Sequence, residues 1–249
     1  MKKSEGSSPK LKNNRPRSER QSKPLPFVFA NFAMTADGKI AFADHTFAPF
    51  SGQRDRDHMM ELRVTADAVM SGARTVDLSP TTLGTGGANY QRQRLKRGLR
   101  EYNLRIIVSG SGSVDPEAEI FKRKFPPIII LTTARASAAS LRRLRILADE
   151  VKVCGAKEIN FRAAFRWLRE KWGVRRLLCE GGGELNDALF RARLLNELHL
   201  TICPKVFGGR TAPTIADGLG ALKLGAATRL KLKSQRRVGD ELFTVFAVK

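Results

Sequence analysis

An α/β fold is what this sequence predicts, with a mostly parallel sheet flanked by helices and an antiparallel C-terminal edge. Three observations lead there. From Phe27 onward, short apolar runs of strand length alternate with longer segments of helical period. Several of those runs close on small or polar residues, as at Ser71-Gly72 and Ser109-Gly110, where a strand hands over to a loop. The last two apolar runs have no helical segment between them, which suits an antiparallel pair.

Taken in order, Phe27 to Met34 follows Pro24-Leu25-Pro26 and is apolar except at Asn31, like a buried strand. Arg54 to Ala66 reads as a helix: Asp55 and Asp57 suit the positive end of its dipole, and Met59, Leu62 and Ala66 share a face. Ala68 to Met70 is a short strand, and Ser79 to Arg100 reads as a polar, glycine-bearing loop. Leu104 to Val108 and Pro127 to Leu131 are apolar strands, Ser140 to Leu147 a basic helix, and Val151 to Cys154 another short strand. In Ile159 to Trp172, Phe161, Ala164, Phe165, Leu168 and Trp172 lie on one side and three arginines on the other, an amphipathic helix. Arg175 to Cys179 is a strand, Glu184 to Ala192 a helix, and Glu197 to Cys203 a strand. Val206 to Leu224 is a glycine-rich excursion, and Ala227 to Lys233 with Leu242 to Val248 make the final pair.

Composition bounds the function. The chain has 249 residues, 42% of them apolar, enough for a packed core, and no run approaches the roughly 20 apolar residues that span a bilayer. Residues 1–24 read as a disordered basic tail and residues 25–249 as one domain. The first 23 residues carry eight Lys or Arg against two Glu and have no apolar stretch of a secretory signal. They account for +6 of the net charge of +21; the rest suits phosphate-bearing small molecules, nucleic acid, or a merely solvated surface. Cys154, Cys179 and Cys203 offer no C-x-x-C pair, and His45, His58 and His199 have no ligand spacing with them. No metal site is expected, and three free thiols suit a reducing cytoplasm.

Four stretches carry chemistry. In Cys179-Glu180-Gly181-Gly182-Gly183-Glu184-Leu185, three glycines sit where a strand meets a helix. The first helical N–H groups have no intrahelical partner, so an anion fits there and glycine lets it approach; a tight turn is the other reading. The spacing is not G-x-G-x-x-G, and no Gly-Lys-Ser/Thr follows. In Asn31 to Lys39, Asp37-Gly38 is a turn signal, and it also stands at a strand's carboxyl end, where α/β proteins bind ligands. Ser51-Gly52 precedes the first helix, and Arg63 borders that helix's apolar face. Its guanidinium needs an anion, either Asp67 four residues on or a ligand. In Ser71 to Val76, Thr75 suits a phosphate or a helix cap, and Arg74 suits a ribose phosphate or solvent.

These pieces, in this order, resemble the reductase domain of bacterial riboflavin biosynthesis, the 5-amino-6-(5-phosphoribosylamino)uracil reductases. The matching residues are T-A-D-G-K-I-A at Thr35 to Ala41, Ser51-Gly52, Leu62 to Val69, Ala73 to Val76, Cys179 to Leu185, and Leu194 to Gly209. The resemblance implies a dihydrofolate-reductase-like fold, NADPH as hydride donor, a phosphorylated small-molecule substrate and a homodimer. It places NADPH near Met34, Arg74, Thr75, Ser79, the Ser109-Gly110 turn and Gly181, Gly182, Gly183, Glu184 and Leu185. It places the substrate near Asn31, Asp37, Ser51, Arg63, Leu83 and Glu180. Asp37 is the expected partner of the transferred proton, Glu180 the second candidate, and Arg63 the holder of the substrate phosphate. The glycines would leave room for the dinucleotide, and Arg74 or Arg135 would read its 2′-phosphate. Two rival readings stay open: an NADPH reductase of another pterin-like or pyrimidine substrate, and a non-catalytic phosphate- or RNA-binding protein using the basic tail.

Three positions depart from the family pattern. Arg74 stands where glycine or serine is common, and Leu78-Ser79-Pro80 replaces an acidic pair before proline. Gly84-Thr85-Gly86-Gly87 occupies the place of an arginine expected shortly after Leu83. The zinc motifs of the deaminase often fused to such reductases have no counterpart in these residues.

Overall fold

A computed structural model describes residues 24–46, 48–122 and 127–249, so the expected basic tail lies outside the described residues except for Pro24. The strands are β1 (Phe27–Thr35), β2 (Ala68–Gly72), β3 (Leu104–Val108), β4 (Ile128–Thr132), β5 (Glu150–Val153), β6 (Arg176–Cys179), β7 (Glu197–Cys203), β8 (Leu230–Val238) and β9 (Glu241–Val248). The helices are α1 (Gln53–Thr65), α2 (Ala73–Leu78), α3 (Ala88–Lys96), α4 (Glu119–Lys122), α5 (Ala138–Leu147), α6 (Phe161–Trp172) and α7 (Gly183–Arg191). All nine strands form one sheet in the order β5-β4-β3-β2-β6-β1-β7-β9-β8. The pairs from β5 through β7 are parallel, and β9 and β8 close the sheet antiparallel, as the alternation of the sequence predicts.

The central strands are apolar on both sides because both faces are covered. Val28, Ala30, Met70, Ile106 and Leu177 meet Phe165 and Leu168 of α6 and Leu185 and Leu189 of α7. Phe29, Val69, Ile107, Ile130 and Leu178 meet Leu62 of α1, Val76 of α2 and Leu144 of α5. Each such large side chain, fully buried, contributes about 1.5–3 kcal/mol of transfer free energy.

Several elements differ from the sequence reading, among them α2, α3 and β8. The stretch expected as a loop from Ser79 to Arg100 contains α3. Its buried residue is Arg94 rather than an apolar one, so no apolar periodicity announces it. Arg94 donates to the carbonyls of Arg63 (2.8 Å), Ala66 (2.5 Å) and Arg100 (2.9 Å), which closes the carboxyl end of α1. The short α2 starts at once after β2. Strand β8 runs to Val238, beyond the expected Lys233; all nine of its residues are exposed, so burial imprints no pattern on it.

Register positions the site. Ala30 of β1 pairs with Cys179 at the end of β6, so Asn31 to Thr35 project past β6 along β7. That step in the carboxyl edge of the sheet leaves a space flanked by α1 on one face and α7 on the other.

Candidate functional site

A cleft of about 1840 Å³ follows the carboxyl ends of β1, β2, β3 and β6 and the amino end of α7. Its lining includes a buried ion pair. Arg63 donates from Nε to Glu180 Oε1 (2.7 Å) and from Nη2 to Oε2 (2.5 Å), with the two side chains only 7% and 6% exposed. A third bond runs from Nη1 to the Gly84 carbonyl (2.6 Å). The two-pronged geometry matches guanidinium to carboxylate. Asp67, the local partner considered for Arg63, instead accepts from the backbone N–H groups of Arg175 (2.7 Å) and Arg176 (2.8 Å). Arg63 therefore anchors Glu180 and the Gly84 loop at the cleft wall.

The glycines divide their work. Gly182 is the N-cap of α7 at φ 75°, a conformation that favours glycine, and no side chain caps this helix. Its first amides face a cleft also lined by Thr75, Ser79, Ser109 and Gly110. Gly181 and Gly183 have a different reason to lack side chains. A Cβ on Gly181 would collide with the Ser71 hydroxyl, and one on Gly183 would lie 2.5 Å from the Thr214 carbonyl and closer still to the Asp217 carboxylate. So one glycine opens the amide cradle, while its neighbours permit close packing of β6, β2 and the Thr214 loop.

Most of the expected residues come together here. Asn31, Ser51, Arg63, Leu83 and Glu180 line one part of the cleft; Arg74, Thr75, Ser79, Ser109, Gly110, Gly182, Gly183, Glu184 and Leu185 line the rest. Ser79 Oγ donates to the Thr75 carbonyl (2.6 Å) and Ser109 Oγ to that of Ser113 (2.8 Å). Arg74 pairs with Glu184 (3.0 Å) on the exposed rim. Leu83 is buried with φ 51°, an uncommon backbone for a side-chain-bearing residue. Gly86, in the span where an arginine was expected, has φ 82° and Met60 Cε where a Cβ would stand. Neither the backbone nor the space there suits a long side chain.

Four residues lie elsewhere. Met34 packs against the apolar core, Gly181 is buried, and Arg135 is exposed outside the lining. Asp37 is exposed, and its carboxylate accepts from Thr35 Oγ1 (2.5 Å), Gly208 N (2.7 Å) and Phe207 N (3.2 Å). The Thr35 hydroxyl, followed by those two amides, holds its pKa below the usual 3.8. Asp37 thus ties the turn after β1 to the loop after β7.

The sequence reading missed Lys39, Arg56, Asp55 and Arg210 in the lining. Lys39 was legible as part of T-A-D-G-K, and its Nζ donates to the Ala212 carbonyl (3.2 Å). Asp55 looked like an ordinary acid in a helix first turn and gave no other signal.

Comparison with known proteins agrees with this fold. A family model described as the RibD C-terminal domain matches residues 26–244. The chain is 31% identical over 224 residues to a 2,5-diamino-6-ribosylamino-4(3H)-pyrimidinone 5′-phosphate reductase of Methanothermobacter thermautotrophicus, covering 90% of this chain and 99% of that one. A reductase of the same name from Archaeoglobus fulgidus is 30% identical, with 86% and 94% covered. Among solved structures, a pyrimidine reductase-like protein of Corynebacterium diphtheriae superposes with a TM-score of 0.74 at 22% identity, over 90% of this chain and 92% of that one. Acinetobacter baumannii RibD superposes with a TM-score of 0.71 at 18% identity, over 90% of this chain and 58% of the longer RibD chain. The likeness in fold, the ordered motifs and the match along nearly the whole domain agree: this chain belongs to the RibD C-terminal domain family, the oxidoreductases of riboflavin biosynthesis.

Proposed function

We propose that this protein reduces the ribosyl group of a 5-amino-6-ribosylaminopyrimidine 5′-phosphate to a ribityl group, using NADPH. The observation that carries the reading is the juxtaposition, in one cleft, of the buried Arg63–Glu180 pair and the uncapped amino end of α7. The amides after Gly182 suit the cofactor diphosphate, with Thr75, Ser79, Ser109, Gly110 and Leu185 beside it. When bound, the nicotinamide supplies the hydride. The chain's own residues hold the substrate, exclude water and manage one proton.

Glu180 is the carboxylate of the catalytic pair that lines the cleft, so it takes the place nearest the proton; Asp37 acts from outside by fixing the Phe207–Gly208 loop. Because Arg63 is engaged by Glu180, the 5′-phosphate falls to Lys39 and Arg56 with Ser51. A homodimer through the exposed β8 edge and a cytoplasmic setting complete the reading. The edge strand leaves Leu230, Leu232 and Val238 exposed, and the three cysteines are free and buried. Among the described residues, no helix is long and apolar enough to cross a membrane.

The test is direct. The purified chain is mixed with NADPH and freshly made ribosylaminopyrimidine phosphate, and loss of the dihydronicotinamide absorbance is followed while the product is identified by mass. Turnover to the ribityl compound is expected; tight NADPH binding without turnover would move the substrate assignment elsewhere on the same fold.

A further inference from the structure

Two arginines of the cleft lining pair with a glutamate, and they are held very differently. Arg63 is gripped at two points, and its pair is almost wholly buried. Arg74, in the first turn of α2, touches Glu184 of α7 through a single bond, Nη1 to Oε1 (3.0 Å), with the two side chains 62% and 71% exposed. A pair so open to water adds little to stability, so either partner can leave it at small cost. Nor does α2 itself account for Arg74, because a cation in a first turn gains nothing from the helix dipole.

The pair stands beside the amide cradle. Strands β2 and β6 are parallel neighbours, so α2 and α7 leave the sheet side by side. A Cβ on Gly182 would lie 3.3 Å from Thr75 Oγ1, and one on Gly72 4.0 Å from Leu185 Cβ. Glu184 belongs to the first turn of α7, where its carboxylate draws on the same positive end as a bound diphosphate. Left alone it would repel that ligand, and Arg74 neutralises it. With a diphosphate on α7, the nicotinamide half of a dinucleotide points to the Glu180 wall and the adenosine half over β2 and β3, toward Ser109 and Gly110. The other cations of the lining stand away from that half. Lys39 and Arg210 follow β1 and β7, across β6 from it, and Arg56 is on α1. Arg191, bonded to Asp187 (2.8 Å), and Arg162, bonded to the Ala192 carbonyl (3.4 Å), meet the carboxyl end of α7, about 12 Å along its axis.

We propose that Arg74 reads the adenosine 2′-phosphate of NADPH, and that Glu184 holds Arg74 at the rim until that phosphate displaces the carboxylate. This rests on the reductase reading above and adds to it the device that chooses between the two nicotinamide donors. Of the two arginines that the sequence offered for this task, Arg135 lies outside the lining. A 2′-phosphate brings more charge and more acceptor oxygens to a guanidinium than a singly bonded, solvated carboxylate does. NADH carries a hydroxyl in its place, so the Arg74–Glu184 pair stays closed and lends NADH nothing. Glu184 thus weakens NADPH binding by the cost of opening the pair, and Arg74 supplies the preference.

The experiment measures binding, without turnover, of NADPH and NADH to the full cofactor-free chain by dihydronicotinamide fluorescence, and of 2′,5′-ADP and ADP by calorimetry. The wild type is expected to bind NADPH over NADH, and 2′,5′-ADP over ADP, by about tenfold or more. Arg74→Gln is expected to bring both ratios close to one. Glu184→Gln is expected to tighten NADPH by about threefold or more and to keep or raise the ratios. Both side chains are exposed, so the variants should melt like the wild type, which thermal unfolding checks. Unchanged ratios in Arg74→Gln, or weaker NADPH binding in Glu184→Gln, overturn the proposal. Loss of the ratios in Arg162→Gln instead assigns the 2′-phosphate to the far end of α7 and overturns it as well. Equal binding of NADPH and NADH by the wild type removes this inference and keeps a reductase that takes either donor. Binding of neither removes the cofactor reading with it.

Discussion

Two strand ends carry the family's acidic motifs, and they have opposite fates. At the end of β6, Glu180 is almost fully buried and gripped by Arg63 from a helix 117 positions earlier in the chain. At the end of β1, Asp37 is exposed, and backbone amides and a hydroxyl hold it. Both are carboxylates at the carboxyl edge of the sheet. The difference lies in what stands opposite. The α1 helix crosses over β6 and brings a guanidinium to Glu180, whereas β1 overshoots β6 and turns onto the loop after β7. One carboxylate shapes the cleft, and the other shapes the scaffold around it.

Glu180→Gln should produce the largest effect. It leaves Arg63 buried without its counter-charge, for which a cost of about 3–5 kcal/mol is expected. Misplacement of the cleft wall should lower kcat/KM by about 100-fold. Thermal unfolding and steady-state kinetics on one preparation check both, and a variant with wild-type stability would show that the pair is not the anchor described here.

Gly181→Ala should come next, with about 1–3 kcal/mol lost to overpacking against Ser71. Pairing it with Ser71→Ala should recover part of that loss, because the colliding oxygen is gone. A double mutant no more stable than the single one would place the clash elsewhere.

Asp37→Asn sharpens the comparison from the other side. Its kcat/KM should fall by about tenfold or less, well short of Glu180→Gln, with NADPH affinity kept. Because the Asp37 pKa is depressed below 3.8, its contribution to stability is present above that value and lost as pH falls through its lower folded value. Melting profiles of wild type and variant should therefore differ at neutral pH and converge in strong acid.

The smallest effect concerns the back of α1. The rings of His58 and His199 lie with centroids 5.4 Å apart, tilted by 42°, and burial lowers both pKa values from 6.5. For His58 the charges of His199 and Arg236 add to that push, while Glu197 partly opposes it at His199. Unfolded histidines take protons more readily than these, so stability is full above about pH 6.5 and declines as pH falls through the folded values. Replacing His58 with Gln should flatten that acid slope by a fraction of its size, measurable as melting temperature against pH.

Much of this was legible along the chain. Alternating apolar runs disclosed the sheet because burial on both faces demands them, and the three glycines disclosed a strand-to-helix junction. What escaped had no apolar signature. Helix α3 packs through an arginine, β8 is exposed throughout, and Asp55 looks in sequence like any acid of a helix first turn. The glycines show the same limit at finer grain: of the three only Gly182 takes the left-handed backbone that starts α7, and its neighbours are small because Ser71 and Asp217 stand against them.

By itself, then, the sequence determined the class of fold, the order of its strands along the chain, the family, and the residue types gathered at the carboxyl edge of the sheet. Those follow from periodicities and turn chemistry that act over a few residues. Only the tertiary structure decided which carboxylate faces the cleft, which base pairs with it, and which polar atoms are left without partners. Those outcomes depend on which strands become neighbours and how far each overshoots the next. Local periodicity tells a side chain which face of the sheet it lies on, and nothing about what it will find there.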